Sequence, residues 1–189
     1  MAKTTKSNTL SDTHWIEEAL KILVEGQIDD VRVEVVARNL GVTKGGFYWH
    51  FKNRQDLLER MLQHWMNTAT LATISRINIG ADCPKLRLEQ LITLPARSRY
   101  EAHGGEIELA IRSWARSSEL AGKTFMEVDR IRTEYLRNLF RDLGFSETEL
   151  KRRADVAHSF IVGSASLRYL DKGKSRLECA KTITKFLLS

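Results

Sequence analysis

The residues best suited to bind an anion lie close together, between positions 43 and 54. They combine a hydroxyl, basic side chains, a histidine and two further aromatic rings: Thr43, Lys44, Tyr48, Trp49, His50, Lys52 and Arg54. Hydroxyl and cationic groups donate hydrogen bonds to phosphate oxygens, and a lysine also reaches O6 and N7 of guanine. The stretch therefore predicts a contact with nucleic acid.

The order of the charges is more informative than their sum. The formal net charge is +6 at pH 7, but residues 1–55 carry eight bases and seven acids. Beyond Glu34, every charged residue up to Arg54 is basic. This order predicts a local basic face, whereas a mildly basic chain on its own is weak evidence for an anionic partner.

Two glycines follow Lys44 where a short helix is predicted to start. Gly45 and Gly46 lower helix propensity, but a backbone without side chains can approach a groove closely. Thr43 precedes them and is an N-cap residue by type. Its hydroxyl either caps this helix or meets a phosphate, and the sequence leaves both open.

The predicted elements that position these residues begin with two helices. The first starts at Ser11 or Asp12 and ends at Gly26. The second is about two turns long and stops at Gly41, where a left-handed residue costs little.

The third helix starts after Thr43 and turns Phe47 and Phe51 inward, and Asn53 caps a fourth, longer helix. A helix, a tight turn and a short second helix with exposed polar and aromatic residues form the pattern of a helix-turn-helix.

One continuous string makes this pattern specific. Residues 37–54 read ARNLGVTKGGFYWHFKNR and are followed by Asp56, Leu57 and Leu58. The string resembles the DNA-binding signature of the TetR family, with its GV(S/T)xxxxYxxF core and a basic residue three positions beyond the Phe. The resemblance extends from about Trp15 to Leu62. It implies a bacterial transcriptional regulator, most often a repressor, that binds a palindromic operator as a homodimer.

The resemblance also implies roles for individual residues. Tyr48 and His50 match phosphate-contacting positions, and Trp49 matches a residue that lies against bases or a thymine methyl. A core position for Tyr48 remains an alternative. Lys52 and Arg54 are expected to meet phosphate, because a basic side chain otherwise opposes the dipole at a helix N-terminus. The expected DNA-binding residues are Arg32, Thr43, Lys44, Gly45, Gly46, Tyr48, Trp49, His50, Lys52 and Arg54.

The sequence departs from the family pattern at one position. Where the family usually has Thr or Ser opening the second helix, this chain has Arg32, preceded by Asp30 and Val31. Either Asp30 takes over the capping or the helix starts less firmly. Arg32 is retained as an alternative phosphate contact.

Residues 55–189 are expected to form a larger helical domain for ligand binding and dimerisation, after a DNA-binding domain of residues 1–54. Long helices are predicted over Leu120–Leu143 and Glu147–Leu170, with a capping box at Ser146 and Glu149. Small residues at 163–166 allow close helix packing. The two C-terminal helices suit either a homodimer seam or the chain's own core.

A small-molecule effector of unknown identity is expected in this larger domain, where aromatic rings and polar groups mix. Ordinary core packing is the alternative for each ring. The expected effector-binding residues are Trp65, Tyr100, Trp114 and Phe125.

Other classes of function find little support. Gly173-Lys174-Ser175 resembles the end of a phosphate-binding loop, but position 168 holds Arg168 where that loop needs glycine. No catalytic motif, metal-ligand spacing or cofactor motif is recognised, and neither an export signal nor a membrane span is expected. We therefore expect a cytoplasmic, non-enzymatic regulator. The alternatives are a helical interaction protein and a small-molecule enzyme in which the motif is only structural.

Overall fold

A computed structural model of the chain describes residues 10–97, 104–166 and 174–189. Helices, joined by short turns, form the whole described part, so the predicted all-α class is confirmed. None of these helices is long and apolar enough to cross a membrane. The α-helices are α1 (Asp12–Glu25), α2 (Val33–Asn39), α3 (Lys44–Phe47), α4 (Arg54–Met66), α5 (Ala72–Gly80), α6 (Pro84–Arg97), α7 (Gly104–Ala115), α8 (Glu119–Asp142), α9 (Glu147–Ser166) and α10 (Lys174–Leu188).

The chain divides into two compact units, Met1–His64 and Trp65–Ser189. The sequence placed the boundary at residue 54, where α4 begins. The first unit extends further because Leu57, Leu58 and Met61 of α4 are buried in its core.

The first unit is a three-helix arrangement closed by the start of α4. The apolar stripe of α1 is buried at Trp15, Ile16, Ala19, Leu20 and Leu23. Gly41 follows α2 with φ of 69°, as predicted for the turn. Ser11 is the N-cap of α1, and its backbone N–H donates to Nδ1 of His14.

A π-helical stretch at Asn67–Leu71 follows α4, so helical structure runs without a break from Arg54 to Gly80. The sequence predicted one longer helix after Asn53. One wide turn shifts the side-chain register without interrupting the helix, and such turns are frequent at functional sites.

The second unit packs α8 against α7 and α9, and α6 against α9 and α10. Its core includes Leu88, Ile92, Leu136, Phe140 and Leu150. A methyl group on Gly105 would lie 2.5 Å from the carbonyl oxygen of Ala165. The small residues of α9 therefore admit α7 of the same chain.

One of the two hydrogen bonds of the predicted capping box at the start of α9 is observed. The backbone N–H of Ser146 donates to Oε2 of Glu149 over 3.2 Å. The Ser146 hydroxyl, followed by the Arg153 guanidinium, lowers the pKa of Glu149 to about 2. The predicted helix end at Leu170 lies outside the described residues.

Candidate nucleic-acid interface

Three aromatic rings pack at the inner side of α3 and the residues that follow it. Phe47 and Phe51 are buried and stack with centroids 5.1 Å apart, and the edge of Trp15 meets Phe47 at 5.6 Å. The inward orientation predicted for both phenylalanines is confirmed. This packing leaves the opposite side of residues 43–49 exposed.

Two aromatic side chains project from that exposed side. Trp49 is 89% exposed and Tyr48 is 56% exposed. A core position for Tyr48, the alternative kept from the sequence, is therefore wrong. Leaving a whole indole in water forgoes the stabilisation that burying it would give, so Trp49 indicates a surface that contacts a partner.

The fold gives no steric reason for the two glycines. A methyl group on Gly45 would lie 3.7 Å from Oγ1 of Thr43, and one on Gly46 would lie 4.0 Å from Cζ2 of Trp15. Neither glycine has positive φ. Alanine would fit at both positions, so a requirement for glycine must come from outside the chain.

Thr43 is the N-cap residue of α3, but its side chain makes no capping hydrogen bond. Of the two roles the sequence left open, capping by the hydroxyl is therefore wrong. The hydroxyl is exposed beside Gly45 and can accept or donate a hydrogen bond to an external group.

Lys44 has a partner that the sequence did not suggest. Its Nζ lies 2.5 Å from Oε1 of Glu34 in the first turn of α2. The hydrogen bond raises the pKa of Lys44 and lowers that of Glu34. Both side chains remain more than half exposed.

His50 is tied to the first helix. Its Nδ1 lies 2.7 Å from Oδ1 of Asp12, whose Oδ2 accepts a hydrogen bond of 2.8 Å from Arg60. The guanidinium of Arg60 also lies 5.0 Å from the centroid of the Phe51 ring. One ring nitrogen of His50 thus supports the fold, and only the other is available to a phosphate.

Two basic residues at the start of α4, Arg54 and Lys52, were both predicted to contact phosphate but differ in their surroundings. Arg54 donates from Nε to the carbonyl of Val31 over 2.6 Å and from Nη2 to that of Ile28 over 2.5 Å. Its guanidinium thus satisfies carbonyls inside the unit. The Lys52 side chain is exposed and pairs with no acid in the described part of the chain.

The predicted cap of α4 is confirmed. The backbone N–H of Asp56 donates to Oδ1 of Asn53 over 3.0 Å, and that of Lys52 donates to Oδ2 of Asp56 over 2.9 Å. The Asp56 carboxylate thereby complements the positive end of the helix, and the hydrogen bond from Lys52 is the main cause that lowers its pKa.

Arg32 is the N-cap residue of α2 and makes no side-chain cap. Asp30 does not take over that role, because its carboxylate accepts from the backbone N–H of Gln27 instead. The second alternative, a helix that starts without a side-chain cap, is the one observed. The exposed Arg32 side chain is thus available to an external anion.

The second unit holds a cluster of one buried and three half-buried charges, the 108/132 cluster, made of Glu108, Arg112, Asp129 and Arg132. Glu108 is 6% exposed and contacts Arg112 at 2.8 Å and Arg132 at 3.0 Å. Arg112 also pairs with Asp129 at 3.1 Å. Removing these groups from water is compensated only because every charge has opposite partners.

Two of the four expected effector-binding rings lie on this cluster. Arg112 lies 4.2 Å from the centroid of the Phe125 ring, and Arg132 lies 5.6 Å from that of Trp65. Nε1 of Trp65 is buried without a hydrogen-bond partner among the described residues. Trp114 is buried further along α7, and Tyr100 lies outside the described residues.

Sequence reasoning missed the charged partners Asp12, Glu34 and Arg60. Asp12 is 38 positions from His50, so no local spacing rule could pair them. For Glu34 a faint signal existed, because it is the last acid before the run of bases.

Comparison with known proteins agrees with the geometry of the first unit. Residues 16–61 match the family described as bacterial regulatory proteins, tetR family. This segment of the chain is therefore similar to the DNA-binding segment of that family. The matched segment contains α2, the turn at Gly41 and α3, which are the elements that carry the exposed surface.

Curated TetR-type relatives align over part of their length. The transcriptional regulator SrpR of Pseudomonas putida is 36% identical over 47 residues, which are 25% of this chain and 22% of that protein. The regulator AcrR of Shigella flexneri is 31% identical over 96 residues, which are 50% of this chain and 38% of that protein. The chain thus spans well under half the length of these relatives. Both relatives are HTH-type transcriptional regulators.

Solved structures extend the likeness of fold to the second unit. A transcriptional regulator from Rhodococcus sp. Rha1 has a TM-score of 0.73 at 16% identity, covering 95% of this chain and 96% of that one. FadR from Bacillus subtilis, solved in complex with stearoyl-CoA, has a TM-score of 0.68 at 17% identity and covers 94% and 97%. At such identities the likeness concerns the fold.

Proposed function

We propose that this chain is a ligand-responsive transcriptional regulator without enzymatic activity, acting on DNA in the bacterial cytoplasm. Its simplest form is a repressor that binds a palindromic operator as a homodimer and is released by a small molecule. The observation that carries the proposal is the surface of α3, where a tryptophan is 89% exposed beside two glycines that the fold does not require.

The exposed groups divide into base-reading and phosphate-binding roles. Lys44 donates to guanine O6 and N7, and Trp49 lies against bases or a thymine methyl. Phosphates are met by Thr43, Tyr48 and Lys52, with Arg32 at the flank and the second ring nitrogen of His50. Gly45 and Gly46 let the backbone approach the groove. Arg54 is assigned to stability instead, because its guanidinium binds carbonyls of the protein.

The decisive experiment is selection of bound sequences from a random DNA pool, followed by affinity measurements at several salt concentrations. We expect Lys44→Ala to relax base preference at one position by about 1–3 kcal/mol, and Lys52→Ala to weaken all sequences and reduce the salt slope by about one. Lys85→Ala, an exposed lysine of α6, is the matched control. Absence of salt-dependent binding to any DNA would refute the function and favour a helical interaction protein.

We infer that the effector binds at the 108/132 cluster of the second unit. The support is the indole N–H of Trp65, which is buried without an acceptor in the described part of the chain. An unsatisfied buried donor costs about 1–3 kcal/mol, which a ligand acceptor would recover. The structurally similar FadR was solved with stearoyl-CoA, which supports a small-molecule site in this fold.

Trp65→Phe tests this effector site because it keeps the ring and removes the donor. We expect compounds that release the wild-type protein from DNA to bind this variant about tenfold more weakly, since about 1.4 kcal/mol is a factor of ten. Trp114→Phe is the control. Equal affinity in both variants would place the effector elsewhere.

We also propose a homodimer through the C-terminal helices. Val156 of α9 is 46% exposed and Phe186 of α10 is 67% exposed, which gives each helix an apolar side chain on the surface. Phe186→Lys should shift the protein towards monomer in analytical ultracentrifugation. Ile79→Lys, at a residue of α5 that is 83% exposed, should not. A dimer unaffected by Phe186→Lys would rule out this residue as part of the seam.

A further inference from the structure

One acid, Glu34, lies in the segment 33–47, whose other charged side chains, Arg38 and Lys44, are basic. Glu34 is in the first turn of α2 and Lys44 begins α3, and the turn at Gly41 brings them together with Nζ and Oε1 2.5 Å apart. The pair joins two helices across the turn and is not a neighbour contact within one helix.

This pair is poorly placed to stabilise the fold. The side chains are 52% and 61% exposed, and ion pairs with such exposure contribute little to stability. Packing of α2 and α3 already rests on the buried residues Val33, Val36 and Phe47. We therefore expect Glu34 to affect the affinity of Lys44 for an external group more than the stability of the fold.

We propose that Glu34 is a specificity-determining residue that holds Lys44 away from phosphates and releases it only to a matching base. The proposal rests on the DNA-binding function. A guanine offers the ammonium two acceptors, O6 and N7, which compensate for the lost carboxylate. A single mobile phosphate on non-operator DNA compensates less, and Glu34 itself repels it. Exchanging Glu34 for a DNA group therefore costs Lys44 less free energy at the operator than on other DNA.

The pair is tested first without DNA. The pKa of Lys44 is measured by NMR from the titration of its side-chain carbons in the wild-type protein and in Glu34→Gln. We expect the pKa of Lys44 to be lower in the variant. An unchanged value would overturn the proposal, whether or not the protein binds DNA.

The second test compares the selected operator with a scrambled duplex of the same length and composition. Glu34→Gln should raise affinity for the scrambled duplex about two- to fivefold, the range that an exposed ion pair is worth. The gain on the operator should be smaller, so the ratio of affinities falls. In a Lys44→Ala background the gain on the scrambled duplex should largely disappear. Glu25→Gln, at an exposed acid of α1, should leave the ratio unchanged.

Three outcomes would refute the proposal. Equal gains on both duplexes, or a gain that persists without Lys44, would mean that only the loss of a negative charge matters. Weaker operator binding by Glu34→Gln would mean that Glu34 contacts a base itself. If the wild-type protein binds no DNA in a salt-dependent way, the proposed function fails, and the Lys44 titration still reports whether the pair exists.

Discussion

Replacing the glycines of α3 by alanine should move stability and DNA affinity in opposite directions. At Gly45 and Gly46 the added methyl group would lie 3.7 Å and 4.0 Å from the nearest atoms, which are ordinary contact distances. Both residues have backbone angles open to alanine, since the described glycines with positive φ are Gly41 and Gly144. Each substitution should therefore raise the free energy of unfolding by about 0.4–1 kcal/mol, because alanine loses less conformational freedom on folding.

The same methyl groups should weaken binding to the operator. If the α3 backbone packs closely against DNA, each extra methyl overfills the contact at a cost of about 1–3 kcal/mol, which is about 5- to 150-fold in affinity. Fluorescence anisotropy with the selected operator measures the affinity, and thermal unfolding of the full chain measures stability. Gly80→Ala is the control, because its methyl would also lie in ordinary contact, 3.9 Å from Gln90.

Two results would refute this reasoning. Operator affinity unchanged by both alanines would show that the glycines are not needed for approach to DNA. A lower unfolding temperature would show that α3 has no room for the added methyl groups. Any loss of binding would then reflect damage to the fold.

Three further perturbations test the roles assigned to charged residues. Arg54→Ala removes two hydrogen bonds to backbone carbonyls and should lower the free energy of unfolding by about 1.5–3 kcal/mol, whereas Lys52→Ala should leave it unchanged in urea titrations; equal stability of the two variants would contradict the assignment. Glu108→Gln removes the buried carboxylate that pairs with Arg132 and one of the two acids that pair with Arg112, and should cost about 3–5 kcal/mol in the same assay, compared with no change for the surface variant Glu119→Gln; a loss under 1 kcal/mol would mean that the cluster is well hydrated. Glu149 has its pKa lowered to about 2, so its stabilisation is complete above its unfolded-state pKa of about 4.3 and is lost as pH falls through about 2. Thermal midpoints measured from pH 5 to pH 2 should fall less steeply for Glu149→Gln, and parallel curves would show that the capping contact contributes nothing.

Local chemistry made most of the fold predictable from the sequence. The N-caps Ser11 and Asn53, the turn at Gly41 and the inward ring of Phe47 each depend on neighbours within a few positions. Helix periodicity and capping preferences act over that range. The break between α8 and α9 at Gly144, with φ of 87°, belongs to the same class.

Features set by distant partners were not predictable in this way. The Arg54 guanidinium binds carbonyls more than twenty positions upstream, and the imidazole of His50 binds Asp12, 38 positions away. The π-helical turn at Asn67–Leu71 leaves the apolar pattern helical on both sides. It accommodates Arg132, which donates to the hydroxyl of Thr70 and lies 62 positions further along the chain.

These long-range contacts determine which basic residues of the motif remain free to bind an external phosphate. By charge and position alone, Arg54 and Lys52 are equivalent candidates for a phosphate contact. The guanidinium of Arg54, however, already donates hydrogen bonds to two backbone carbonyls of the protein. A donor that the fold has satisfied gains little from an external phosphate, because it must first give up existing hydrogen bonds. The residues proposed to contact DNA are those whose chemistry the fold does not use, such as the hydroxyl of Thr43, the ammonium of Lys52 and the ring of Trp49. Lys44 is an intermediate case, since its ion-pair partner, Glu34, is an exposed carboxylate that we propose a base replaces.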